Sequence, residues 1–273
     1  MSQTLDPQSR PAPRLRVAGH FGELIQGRLG AGGPLALISL PCPALWVECC
    51  FDIAPNDDLI GPKRLNALCR ALNIPTPTQR PGLLATMPPG GGAGSSTAGL
   101  VAYARALGFT GTPETLADIC ASVEGASDPL MFPKPERLLF APREGRVLAS
   151  LPPLPRFDMV GGFFGPVQRT DPTDMAFPDI ADLVQDWQPG MSLQTMATLA
   201  STSARRTLNQ RGPQGDPTES LAMTLGAVGW MIAHTGNARG LIYAPGTAPL
   251  SAKDALRNAG FKGVISFAAG GEP

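Results

Sequence analysis

The sequence is poor in charge, in aromatics and in histidine, and each shortage removes a class of function. Only 16% of its 273 residues are charged, and 22 basic side chains balance 22 acidic ones. A neutral balance without a basic run lacks the electrostatic footprint of nucleic-acid binding or of attachment to an anionic membrane. The longest apolar stretch, Leu35 to Val47, is interrupted by Pro41 and Pro43 and falls short of a bilayer span, so a soluble chain is expected. Two histidines, His20 and His234, lie too far apart in sequence to suggest a histidine-built metal centre. Five cysteines, Cys42, Cys49, Cys50, Cys69 and Cys120, are odd in number and include no Cys-x-x-Cys pair. Neither a disulfide framework nor a zinc site follows; buried, reduced thiols in a cytoplasmic protein are expected. Met1 to Pro13 is polar, has no apolar core of the signal-peptide kind, and reads as a flexible tail.

Glycine and proline, by contrast, are abundant, and one cluster of them is informative. Residues 88–96 read Pro88-Pro89-Gly90-Gly91-Gly92-Ala93-Gly94-Ser95-Ser96. Glycines in this density let the backbone take positive φ and turn its N–H groups toward one point, with no Cβ in the way of an anion. The apolar Leu83 to Met87 precedes the run, and Ala98, Val101, Ala102, Tyr103 and Leu107 follow at helical spacing. Strand, glycine loop and helix in that order make a phosphate site, because helix-start amides and the helix dipole favour phosphate oxygens. No lysine follows the glycines and no acidic residue closes a second strand, so neither a Walker A loop nor a dinucleotide fingerprint is present. A plain connector is the alternative, and it predicts no nucleotide affinity.

Around the loop the pattern predicts strands at Arg14 to Ala18 and Ala44 to Ile53, and a helix over Pro62 to Leu72. A helix starting at Pro113 and ending at Glu124, and a hairpin of Arg137 to Phe140 with Arg146 to Ala149, come next. Leu151-Pro-Pro-Leu-Pro155 is the best internal boundary, since three prolines continue neither a helix nor a central strand. Beyond it the pattern gives a strand at Phe157 to Phe164, a proline- and aspartate-rich connection over 165–190, and helices at Leu193 to Asn209 and Glu219 to Ala233. Two strands, Leu241 to Ala244 and Val264 to Phe267, are expected to pair around a helix at Ala252 to Asn258. The expected architecture is α+β, with a tail over 1–13, an N-terminal domain over 14–150 and a C-terminal domain over 151–273.

Pro88, Gly90, Gly92, Ala93, Gly94, Ser95, Ser96 and Ala98 match the central Pro-x-Gly-x-Gly-(Leu/Ala)-Gly-Ser-Ser motif of the GHMP kinases. Phe21-Gly22-Glu23-Leu24-Ile25-Gln26-Gly27 resembles the Gly-Glu-Leu-Ile-Gln-Gly segment of the L-threonine kinases of cobalamin synthesis and propanediol utilisation. Asp128-Pro129-Leu130-Met131-Phe132 and His234-Thr235-Gly236-Asn237-Ala238-Arg239-Gly240-Leu241 are similar to two further segments of that group, in the same order.

The resemblance implies a two-lobed fold of mostly antiparallel sheets layered with helices, and ATP-dependent transfer of phosphate to a small alcohol. The loop from Pro88 through Gly90, Gly91, Gly92, Ala93 and Gly94 to Ser95 and Ser96 would hold ATP. Ser96 and Glu124 would hold Mg2+, a hard ion content with one hydroxyl and one carboxylate from the protein. Asp128 would be the general base, with Asp171 and Asp174 as weaker substitutes, and His20 falls where sugar and mevalonate kinases carry an assisting cation. Glu23 and Gln26 would line the acceptor site, and Thr235 and Gly236 would position substrate. Lys63 and Arg239 could touch nucleotide or carboxylate, although solvated surface positions are the better reading of both. The sequence departs from the group at Ala18-Gly19-His20 and in the Glu124 to Asp128 spacing, one residue longer than in the threonine kinases. The acceptor expected is L-threonine; homoserine, another small hydroxy compound, or a silent nucleotide-binding protein are the alternatives.

Overall fold

A computed structural model describes residues 14–271 except Asn56 and Arg169; the expected tail over 1–13 lies outside the described residues. Its backbone is one nine-stranded sheet with helices packed on it. Two long strands, β1 (Leu15–Arg28) and β2 (Leu35–Cys50), form an antiparallel hairpin. Both run well past the segments expected from alternation, because these positions are buried on both faces and therefore do not alternate. β3 (Gly82–Ala85) pairs with the end of β2, and the β4 (Leu138–Ala141) and β5 (Arg146–Ser150) hairpin extends the sheet beyond it. On the other side β1 meets β7 (Gly229–Ile232), followed by β8 (Ala238–Tyr243), β6 (Phe157–Phe163) and β9 (Lys262–Ala269). Every ladder between these strands is antiparallel.

Helix α1 (Pro62–Ala71) starts on a proline at its first turn and buries Leu65, Leu68 and Cys69. Helix α2 (Ser95–Ala106) is buried from Thr97 to Ala104 and packs on β1 and β2, while Gly99 gives room to Ile60 and to Leu83 of β3. Thr112 caps α3 (Pro113–Glu124) by accepting from the Thr115 N–H, and Gly125, at φ 75°, ends it. Short α4 (Ala181–Gln185) interrupts the proline- and aspartate-rich connection, and α5 (Leu193–Arg211) packs on β1 and β7. The remaining helices, α6 (Thr218–Thr224) and α7 (Ala252–Asn258), cover β7, β8, β6 and β9. All five cysteines are buried and unpaired, as expected, and no helix of the described residues is long and apolar enough to cross a membrane.

Two expectations are corrected. The helix expected over Glu219 to Ala233 ends at Thr224; Gly226, at φ 68°, turns the chain, and 229–232 is β7. Trp230, Met231 and Ile232 are fully enclosed between β1 and β8, and a short run buried on all sides carries no period that separates strand from helix. Gly236, at φ 95°, therefore lies in the turn between β7 and β8. The expected pairing of the last two strands also differs, because β6 lies between β8 and β9 and bonds to both.

Candidate active site

The glycine loop connects β3 to α2 and is held open from several sides. Gly90, Gly92 and Gly94 take φ of 74°, 73° and 73°. Gly94 is the left-handed cap of α2, and the helix starts with no side chain on its amides, which leaves the first turn to whatever occupies the cavity it lines. The amides of Asn237 and Ala238, in and after the β7–β8 turn, donate to the Gly91 carbonyl at 3.1 and 3.0 Å. The His20 amide donates to Ala93 at 3.2 Å, and the Gln168 amide to Gly90 at 3.0 Å.

A cavity of about 320 Å³ opens beside this loop. Gly90, Gly92, Gly94 and the first turn of α2 line one part; His20, Glu23, Asp128 and His234 line another. Residues three apart on a regular strand face opposite ways. In β1, however, the pairing shifts register between His20 and Glu23, and Gly22 takes φ 76°, so both side chains enter the cavity. His20 Nδ1 lies 3.3 Å from Glu23 Oε1 and Nε2 lies 3.6 Å from Asp128 Oδ2. Asp128 is fixed from α2: its amide donates to Thr97 Oγ1 at 3.2 Å, and that hydroxyl donates to Asp128 Oδ2 at 3.3 Å. The second oxygen of Glu23 accepts from the His234 amide.

This cluster has an unequal distribution of protons. Burial disfavours the His20 imidazolium, but the carboxylates of Asp128 and Glu23 outweigh it and raise its pKa to about 9. Burial pushes Glu23 up to about 7, against the opposing pull of His20. Burial also acts to raise Asp128, yet His20 and the Thr97 hydroxyl leave it below the ordinary carboxylate value. Near neutral pH the cluster thus holds a protonated His20 between two carboxyl groups, of which Asp128 is the more acidic. The donor atoms of His20, Glu23 and Asp128 lie within 4.8 Å of one another, but each imidazole nitrogen already faces one carboxylate, so His20 bridges the pair.

A second cluster sits at the start of α2. Ser96 Oγ donates to Glu124 Oε1, and Arg64 Nη1, from α1, reaches the same serine oxygen at 2.6 Å. Burial raises the Glu124 pKa, with Ser96 and Arg64 opposing. The Ser96 hydroxyl and Glu124 carboxylate are adjacent hard oxygen donors, a set that fits Mg2+.

A third group faces the same cavity. Arg143, at the β4–β5 turn, donates from Nη2 to the Asp171 carbonyl at 2.8 Å, while its buried Nε and Nη1 have no partner. Both ring nitrogens of His234 are likewise buried and unpartnered. The His234 ring stacks on Phe177 at 4.0 Å between centroids, and Arg211 lies over the far face of Phe177 at 3.9 Å. Burial, with Arg143 and Arg211 nearby, drives the His234 pKa down to about 3, so the ring is neutral.

Of the residues singled out by sequence, Gly90, Gly92, Gly94, Ser95, Ser96, Glu124, Asp128, His20, Glu23 and Thr235 line this one cavity. Pro88, Gly91, Ala93 and Gly236 do not; they shape and brace the loop behind it. Gln26 is also outside it, its amide donating to the Ile232 carbonyl at 2.9 Å between β1 and β7. Lys63 is exposed and Arg239 pairs with buried Asp216 at 2.8 Å. Asp174 pairs with Arg211 at 2.7 Å, and Asp171 turns back on Thr173. Sequence reasoning missed Arg64 and Arg143: one follows Lys63 on a helix, the other sits in a hairpin turn, and neither position carries a local signal. His234 belongs to a quoted motif that assigns it no role, and Thr97 follows the loop motif directly.

No family model and no curated relative matches this sequence. Solved structures do match its fold across nearly the whole chain. Homoserine kinase from Cytophaga hutchinsonii superposes with a TM-score of 0.53 at 16% identity, covering 97% of each chain. A mevalonate kinase gives 0.60 at 11% identity, covering 94% of this chain and 99% of its own. The phosphomevalonate kinase of Streptococcus pneumoniae gives 0.59 at 10%, covering 96% and 100%. The fold is therefore that of the GHMP kinases, and at such identities the likeness is one of fold.

Proposed function

We propose that this chain is an ATP-dependent phosphotransferase that phosphorylates the hydroxyl of a small molecule, with L-threonine as acceptor and L-threonine O-3-phosphate as product. The observation that carries the reading is one cavity with two chemically distinct walls, a glycine loop with an uncapped helix start on one side and the Asp128–His20–Glu23 cluster on the other. Amides and a helix dipole suit the triphosphate. Ser96 and Glu124 would hold Mg2+, which when bound neutralises charge on the β and γ phosphates. As the acceptor oxygen bonds to the γ phosphorus, the bond from that phosphorus to the bridging oxygen breaks. The acceptor proton goes to Asp128 and the electron pair leaves with ADP.

Asp128 is ionised at neutral pH, and its low pKa makes it an acceptor for a proton already loosened as the acceptor oxygen bonds to phosphorus. The neighbouring His20 imidazolium holds it in that state. Threonine is favoured over a neutral alcohol by the rest of the lining: Glu23 can meet an ammonium group, and the unpartnered nitrogens of Arg143 and His234 can meet a carboxylate. Homoserine offers the same two charges and is the second reading, supported by the fold it shares with homoserine kinase.

The test is 31P NMR of product formed from ATP with threonine, serine, homoserine or mevalonate, on the wild type and Asp128→Asn. Threonine should give the highest kcat/KM. The variant should lose at least about 100-fold in kcat while binding ATP normally. Phosphorylation of homoserine in preference would move the acceptor, and no phosphorylation of any alcohol would end the kinase reading.

A further inference from the structure

Arg64 holds the two groups that Mg2+ would need. Its Nη1 lies 2.6 Å from Ser96 Oγ and 2.5 Å from Glu124 Oε1, and its Nη2 donates to the Leu59 carbonyl at 2.6 Å. The side chain is 30% exposed, so α1 could have released it to water; three bonds hold it in the cavity instead. The position is electrostatically awkward, since a cation beside the first turn of α2 opposes the positive end of the helix dipole. Glu124 offsets that cost, and so does any anion that arrives at the glycine loop.

Resting on the assignment of Ser96 and Glu124 to Mg2+, we propose that Arg64 makes metal binding conditional on the triphosphate: without nucleotide the guanidinium occupies both metal ligands, and with nucleotide it passes to phosphate oxygens and frees them. A divalent ion sits about 2.1 Å from its oxygen ligands. Placed on Ser96 and Glu124, it would lie directly against the guanidinium, with three positive charges sharing a single carboxylate. Metal alone therefore competes with Arg64, whereas metal with a triphosphate brings negative charge enough for both cations. The planar fork of arginine suits the exchange, because Nη2 can stay on the Leu59 carbonyl while Nη1 changes partner. Phosphate is also a bidentate match for that fork. The consequence is reciprocal: metal and nucleotide each strengthen the other's binding, and Arg64 sets the size of the effect.

The experiment uses the full chain with Mn2+ in place of Mg2+, reading free Mn2+ by EPR with and without a non-hydrolysable ATP analogue. Wild type should bind Mn2+ at least about tenfold more tightly when the analogue is present. R64M should bind Mn2+ alone at least about tenfold more tightly than wild type, and its coupling to the analogue should be smaller by that factor, leaving only the part due to the analogue's own chelation of the ion. E124Q placed on R64M should remove that gain. R64Q, which keeps an amide able to reach Leu59, serves as the second variant if R64M melts early. The inference is wrong if neither variant gains Mn2+ affinity, or if the gain survives E124Q. Failure of the wild type to bind the analogue at all would instead strike the phosphotransferase reading beneath it.

Discussion

Gly92 is the position where the shape of the loop can be tested without touching a charged group. Its φ is 73°, and a Cβ built there would overlap the Thr235 carbonyl oxygen and the Ala233 methyl in the β7–β8 turn. The left-handed conformation costs a residue with a Cβ about 1–2 kcal/mol. Overlap with neighbours that cannot rotate away adds about 1–3 kcal/mol, because one of the obstructing atoms is backbone. Gly92→Ala should therefore lose about 2–5 kcal/mol, the sum of those two costs. Gly30 isolates the first of them: its φ is 76° but a Cβ there meets nothing within 4 Å. Gly30→Ala should lose about 1–2 kcal/mol and no ATP affinity. Urea unfolding of both variants gives the comparison, and calorimetric ATP titration should show Gly92→Ala binding at least about tenfold more weakly. Equal destabilisation of the two, or unchanged ATP affinity in Gly92→Ala, would refute the claim that the turn and loop are packed into one unit around phosphate.

Two further outcomes follow from charge. Because the His20 pKa is raised to about 9, pH rising through that value removes the cation that would assist transfer beside Asp128, so the rate should decline there and His20→Gln should lack this alkaline limb in a pH–rate profile. The same shift gives stability that is complete below the unfolded value near 6.5 and is lost as pH approaches 9. His234 has the opposite sign: its folded pKa is about 3, so the native state resists its protonation and stability falls as pH drops below about 6.5. Between pH 7 and pH 5, the wild type should lose up to about 2 kcal/mol relative to His234→Asn in urea midpoints, from 1.5 pH units at about 1.4 kcal/mol each. An identical pH dependence in the two proteins would mean that His234 is already able to take a proton when folded.

Local chemistry in the sequence is enough to reveal the loop, α2, α3 and ten of the 24 residues that line the cavity. Glycines with an apolar run before them and small residues after them have few other uses, and Thr112, Pro113 and Gly125 bracket α3 as capping rules require. The one-residue excess between Glu124 and Asp128 displaces neither, since Gly125 ends the helix with Glu124 opposite Ser96 and the following turn brings Asp128 to Thr97. What sequence could not supply was anything decided by distant pairing. β7 looked helical because its partners, β1 and β8, are what make it a strand. Gln26 shares the motif of Glu23 but lies beyond the last register shift of β1, where the side chain turns to Ile232 instead of the cavity. Arg64 and Arg143 became visible only when α1 and the β4–β5 turn were brought to the same opening.

The bonds that brace the glycine loop also set the order in which this molecule can be completed during synthesis. The loop leaves the ribosome with its flanking strand and helix, yet the amides that grip the Gly91 carbonyl belong to Asn237 and Ala238, more than half the chain later. The wall against which Gly92 packs, from Ala233 to Thr235, arrives at the same late stage. A nascent chain with α2 already formed therefore has the anion-attracting helix start without the frame that shapes it. Such a chain lacks the packed loop, and a product truncated before β8 would remain in that condition however well its first five strands had folded.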